Sequence, residues 1–130
     1  MTRNQKQVRV LFRALCNSQE RLFPPSRGKL DVTHLPGVYV IYDPRGRVVH
    51  VGSTPRGKHG LAQRLKNHLY GASSFVEQYL GGKGSRLRQG YSFSCLTVSD
   101  QKLRAYLEAY AIGNLCPDHI GLGVSHKRRR

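Results

Sequence analysis

Residues 37–52, GVYVIYDPRGRVVHVG, constrain the fold of this chain more than any other stretch. Two runs rich in β-branched and aromatic residues, VYVIY and RVVHVG, flank Asp43-Pro44-Arg45-Gly46. Proline presets φ and glycine supplies the positive-φ position that a reversing turn needs, so the segment predicts a β-hairpin. Period-two alternation sends Val38, Val40 and Tyr42 to one side and Tyr39 and Ile41 to the other, with Val49 and Val51 out of phase with Val48 and His50. One face then buries aliphatic groups while the other presents Tyr39 and His50.

The rest of the chain supplies helices to cover such a sheet. Val8, Leu11, Phe12, Leu15 and Leu22 recur at helical spacing among Arg3, Lys6, Arg9, Arg13 and Arg21, which predicts a basic amphipathic helix stopped by Pro24-Pro25. Its basic face suits phosphates and suits plain solvation equally well. Ser26 to Leu35 reads as a polar connector. After the hairpin, a loop carrying Arg56, Lys58 and His59 precedes a helical LAQRLKNHLYG, with Leu61, Leu65 and Leu69 as its apolar stripe and Arg64 and His68 one turn apart on an adjacent face. Gly71 closes it, and Ser74-Phe75-Val76-Glu77 matches a capping box for a short helix. GKGSRLRQG, with Lys83, Arg86 and Arg88, lacks the P-loop pattern and reads as a mobile basic loop able to touch a phosphate backbone. A third strand, YSFSCLTV, leads to Ser99-Asp100, which caps QKLRAYLEAYAIGNL. On that helix Leu103, Leu107, Tyr110, Ala111 and Asn114 share one side, Glu108 lies at its edge, and Pro117 ends it. The tail finishes in Lys127, Arg128, Arg129 and Arg130, a disordered run able to lie along a polyanion.

Charge sets the partner class. Lys and Arg number 22 against 7 Asp and Glu, a formal net charge of +15, so an anionic partner is expected, and nucleic acid before a membrane. No apolar run approaches the roughly 18 residues that span a bilayer, and the N-terminus has no signal-peptide core. Cys16, Cys95 and Cys116 are odd in number and without CxxC spacing, which suits reduced thiols in a cytoplasm and argues against zinc held by Cys95, Cys116 and His119. The length of 130 residues fits one domain: residues 1–35 as basic helix and connector, 36–118 as core, 119–130 as basic tail.

In order along the chain stand GVY, HVG followed by Ser53, Gln63-Arg64-Leu65 with His68 one turn on, and a late helix holding Leu107-Glu108, Ile112 and a following Pro117. Each piece is weak alone. Together, from about Gly37 to Pro117, they resemble a GIY-YIG nuclease domain. The resemblance implies an α+β fold, a small three-stranded antiparallel sheet flanked by helices and here preceded by an amphipathic helix. It also implies metal-dependent cleavage of a phosphodiester in DNA, duplex or branched, with RNA a lesser expectation. By the same resemblance Tyr39 is the tyrosine of the first motif, Arg64 braces the scissile phosphate, His68 is the histidine one turn on, and Glu108 holds the divalent cation, Mg²⁺ or alternatively Mn²⁺. Arg56, Lys58, Lys83, Arg86, Arg88 and Lys127 to Arg130 are the expected nucleic-acid contacts.

Two departures stand out. His50 replaces the tyrosine of the second motif, exchanging a phenol with a pKa near 10 for an imidazole near 6.5 that accepts a proton more readily at neutral pH. The asparagine that many such domains carry about a dozen residues past the glutamate falls near Ile120, leaving His119 or Asn114 as substitutes. Against the enzyme reading stands a catalytically silent, basic nucleic-acid-binding module of the same fold, in which Glu108 merely pairs with Arg104 one turn earlier.

Overall fold

The structure, a computed structural model, describes residues 1–55 and 60–121; Arg56, Lys58, His59 and the tail from Leu122, Lys127 to Arg130 included, lie outside the described residues. In chain order the elements are α1 (Arg3–Cys16), β1 (Arg21–Leu22), β2 (Gly37–Tyr42), β3 (Val48–Ser53), α2 (Gly60–Leu69), α3 (Ser74–Tyr79), a 3-10 helix (Gly84–Arg88), β4 (Ser92–Thr97) and α4 (Gln101–Leu115). The four strands form one antiparallel sheet in the order β1-β4-β2-β3. The fold is thus α+β as expected, with one strand more than the sequence suggests. That strand explains Leu22, which is not helical: α1 stops at an Asn17 cap, and Arg21–Leu22 pairs with Phe93 and Ser92. Arg21 lies over the Phe93 ring at 5.1 Å, and Leu22 stays 67% exposed on the sheet edge.

Both faces of the sheet are buried, which is why VYVIY is a continuous apolar run. On one face Val38, Val40 and Val51 pack with Leu15 of α1 and with Leu107 and Ala111 of α4. On the other, Tyr39, Ile41, Val49 and Phe93 pack with Leu61, Leu65 and Leu69 of α2, Phe75 and Val76 of α3, and Leu87. Val49 and Val51 therefore sit on opposite faces, contrary to simple alternation. A β-bulge is the cause: Ile41 pairs with His50 and Tyr42 with Val48, so Val49 is the extra residue and joins His50 on the Tyr39 side.

Local chemistry shifts two further expectations. Ser73, not Ser74, is the N-cap of α3, its Oγ accepting from the Val76 N–H. GKGSRLRQG is no open loop: Leu87 is fully buried, and a Cβ on Gly84 would sit 2.7 Å from the Gly71 nitrogen, so the segment is pressed against the end of α2. Arg88 Nη1 donates to the carbonyls of Pro24 and Gly28, tying the connector to this helix. The Asp100 cap of α4 is as expected, its side chain accepting from the Leu103 N–H. After α4, Cys116 adopts φ 47°, a left-handed cap that turns the chain back. His119 then forms a parallel bridge to His50, its N–H donating to the Val49 carbonyl.

Candidate active site

The glycines of GVY and HVG are close-approach positions. Tyr39 and Gly52 face each other across the β2–β3 pair, and a Cβ on Gly52 would stand 2.5 Å from Tyr39 Cζ. Only glycine lets the phenol lie flat across the neighbouring strand. At Gly37 a Cβ would meet Leu61 Cδ1 at 2.8 Å and the Leu96 carbonyl closer still. These two residues set the hairpin against β4 and α2, and so place the Tyr39 hydroxyl.

That hydroxyl is fully buried and 2.6 Å from His68 Nε2, while His68 Nδ1 lies 2.7 Å from Ser73 Oγ. The same Ser73 oxygen that caps α3 therefore orients the imidazole of α2, which in turn holds the phenol. Burial raises the Tyr39 pKa to about 12, with Arg64 pulling it down and Glu108 pushing it up. Burial, then Arg64 and His119, lower the His68 pKa to about 3, so its ring is neutral.

His50 forms the second half of the site. Its ring stacks on Phe75 at 4.6 Å with 21° between planes and lies 5.3 Å from the His68 ring. His50 Nδ1 is 3.0 Å from His119 Nδ1, and His119 Nε2 is 2.8 Å from Gln78 Oε1. Burial, then His68, His119 and Arg64, hold the His50 pKa well below the usual histidine value. Among the described residues, two buried side-chain nitrogens have no hydrogen-bond partner: His50 Nε2 and Arg64 Nε. Each such atom costs about 1–3 kcal/mol unless something in the site meets it.

Glu108 reaches this region from α4. Ser53, the residue after Gly52, donates from Oγ to Glu108 Oε1 at 2.6 Å. Arg104 does not pair with it: the buried guanidinium donates instead to the carbonyls of Thr54, Val98 and Ser99, fixing the ends of β3 and β4. Among the described residues no three His, Cys, Asp or Glu side chains gather in a way that could hold a metal ion. A cation at Glu108 would thus have one carboxylate and would draw its remaining ligands from water and substrate, a donor set that fits Mg²⁺. Cys95, Cys116 and His119 make no zinc site, and all three cysteines are free thiols.

Tyr39, His50, Arg64 and His68 are thus neighbours, with Glu108 within electrostatic reach of Tyr39. Of the two substitutes for the missing asparagine, His119 is fully buried against His50, whereas Asn114 is exposed and donates to the Tyr110 carbonyl. Lys83, just before the 3-10 helix, and Arg86 on it are exposed, and Arg88 is engaged with the connector. Sequence reasoning missed Ser53, Ser73, Phe75 and Gln78. The first two had a signal, each standing directly beside a motif glycine or a helix start; the other two did not.

An α+β domain with an open antiparallel sheet and a Tyr–His–Arg–His cluster beside a carboxylate is what the fold and site define. No protein-family model matches the sequence, and no curated protein matches it. Among solved structures it is similar to the GIY-YIG N-terminal endonuclease domain of UvrC from Thermotoga maritima bound to its catalytic divalent cation, magnesium, at 19% identity and a TM-score of 0.48, with 90% of this chain and 96% of that one covered. A point mutant of the same Thermotoga maritima domain, also with its cation, is 18% identical with a TM-score of 0.47 and coverage of 99% and 100%.

Proposed function

We propose that this chain is a divalent-cation-dependent endonuclease that hydrolyses phosphodiester bonds in DNA, with Mg²⁺ as the cation. The observation that carries the reading is the pair of buried nitrogens without a partner among the described residues, His50 Nε2 and Arg64 Nε, beside Tyr39 and within one cluster. In this reading the first would accept from a water molecule and the second would donate to a phosphate oxygen. Mg²⁺ held by Glu108 would polarise the phosphoryl oxygen and offset charge on the departing one.

The protein's own groups divide the remaining work. Arg64 directs a guanidinium, always charged, at the charge that develops on the phosphorus oxygens. His50, neutral because its pKa is depressed, takes a proton from the attacking water at Nε2. The water's O–H bond breaks, its oxygen bonds to phosphorus, and the P–O ester bond opens. Tyr39, with a pKa raised to about 12, keeps its proton at neutral pH and acts as a donor to the phosphate or the attacking water. His68 and Ser73 hold that phenol in place. The formal charge of +15 supplies the non-specific attraction to the polyanion.

The test uses end-labelled duplex DNA, branched DNA and matching RNA, each with Mg²⁺, with Mn²⁺ and with EDTA. The reading expects DNA cleaved with either cation and EDTA-treated samples intact. Binding without cleavage under every condition would leave a silent nucleic-acid-binding module.

A further inference from the structure

We infer that His119 is a positioning residue that fixes His50 in the tautomer with hydrogen on Nδ1, leaving the Nε2 lone pair free for the reacting water; this rests on His50 being the base. Gln78 sets the hydrogen positions of both rings. Its Oε1 lies 2.8 Å from His119 Nε2, so that nitrogen carries the hydrogen. A neutral imidazole has only one N–H, which makes His119 Nδ1 an acceptor. The 3.0 Å contact then requires His50 Nδ1 to donate. His50 has no second hydrogen, so Nε2, the buried nitrogen that no group among the described residues meets, bears a lone pair.

Two further contacts and one nearby charge hold this arrangement. The His119 N–H donates to the Val49 carbonyl, locking the returning chain against β3 at the bulge. Phe75 stacks on His50 and fixes the plane of its ring. Arg64 acts electrostatically on His50 as a cation, which favours the neutral ring over the imidazolium. Rotating the Gln78 amide by a half-turn would reverse the whole chain and put hydrogen on Nε2, so the His50 tautomer reports directly which arrangement holds. In the step itself, the proton gained at Nε2 gives an imidazolium whose Nδ1–H still donates to His119. The logic is that of a base oriented by a third group, with an imidazole in place of the usual carboxylate.

Long-range ¹H–¹⁵N NMR of the full chain without nucleic acid reads the tautomer of His50 at pH 7. The expected spectrum has His50 protonated at Nδ1. His119→Asn, whose Oδ1 can accept in place of Nδ1, keeps that tautomer, while His119→Ala gives a mixture and cuts single-turnover DNA cleavage by about 10²-fold. Gln78 is exposed, so Gln78→Ala serves where His119→Ala fails to fold, and it also mixes the tautomers. A wild-type His50 protonated at Nε2, or a tautomer unchanged in His119→Ala or Gln78→Ala, overturns the assignment. A wild type with the expected tautomer but no cleavage would instead sink the nuclease reading and leave the His119 assignment standing.

Discussion

Gly52→Ala is the perturbation whose effect can be worked most directly from the coordinates. The added Cβ would sit 2.5 Å from Tyr39 Cζ and 3.1 Å from Cε1, inside any real carbon–carbon contact. Tyr39 is fully buried between strands and helices, so its ring has nowhere to tilt without displacing Leu61, Leu65 or Phe75. Overpacking of this kind costs about 1–3 kcal/mol. Any tilt also breaks the 2.6 Å bond to His68, adding about 1 kcal/mol. The sum, about 2–4 kcal/mol, lowers Tm by roughly 10 °C in a chain of this size, taking about 3–5 °C per kcal/mol. Gly113→Ala is the control, because nothing lies within 4 Å of that added Cβ and the site is an exposed turn of α4. It should raise stability by about 0.5–1 kcal/mol. Thermal melts followed by circular dichroism measure both. If Gly52→Ala melts with the wild type, the close stacking of Tyr39 on Gly52 is not what the glycine is for.

Three other outcomes follow from named contacts. Arg64→Met should lower DNA cleavage by about 10²–10³ yet melt near the wild-type temperature, since it deletes a buried Nε–H that has no partner among the described residues; a marked loss of stability would show that Arg64 is structural. His68 and His50 both have depressed folded pKa values, so the unfolded chain binds more protons below its pKa of about 6.5, and stability should fall as pH drops from there, for His68 toward about 3, by up to about 1.4 kcal/mol per pH unit per histidine. For the same reason cleavage, which needs neutral His50, should be level above pH 7 and decline only on the acid side of the usual histidine range; a profile still climbing through pH 7 would count against His50 as the base. Arg88→Ala should cost about 1–3 kcal/mol in a denaturant titration by releasing the carbonyls of Pro24 and Gly28, whereas an unchanged midpoint would free Arg88 for a purely nucleic-acid role.

The hairpin and α4 were legible because their chemistry is local: Asp43-Pro44-Arg45-Gly46 turns the chain, with Asp43 accepting from the Arg45 and Arg47 N–H groups, and Asp100 caps the last helix. The grouping of Tyr39, Arg64 and His68 was legible only through the family resemblance, since periodicity by itself puts no more than Arg64 and His68 one turn apart on one helix face. What lay hidden depends on pairings far apart in sequence. The bulge at Val49 arises from how β2 and β3 register, and alternation cannot anticipate it. Leu22 continued the helical spacing yet became strand because β4 offered an open edge. Ser73 and Ser74 are equivalent as caps in sequence, and the bond from Ser73 to His68 accompanies the choice. His119 could be placed in the site only once the left-handed turn at Cys116 was seen to bring the chain back along β3.

The central claim is that Glu108 and the Tyr39–His50–Arg64–His68 cluster make one phosphodiester-cleaving site, and nicking of a supercoiled plasmid by wild type and Glu108→Gln over a Mg²⁺ titration tests it most directly. Glutamine keeps the shape and can still accept from the Ser53 hydroxyl but removes the anionic ligand, so the fold should be retained. The account predicts Mg²⁺-dependent nicking by the wild type, abolished by EDTA, and no nicking by Glu108→Gln at any Mg²⁺ concentration while DNA binding persists. Equal nicking by the two proteins, or none by the wild type at saturating Mg²⁺, would contradict it.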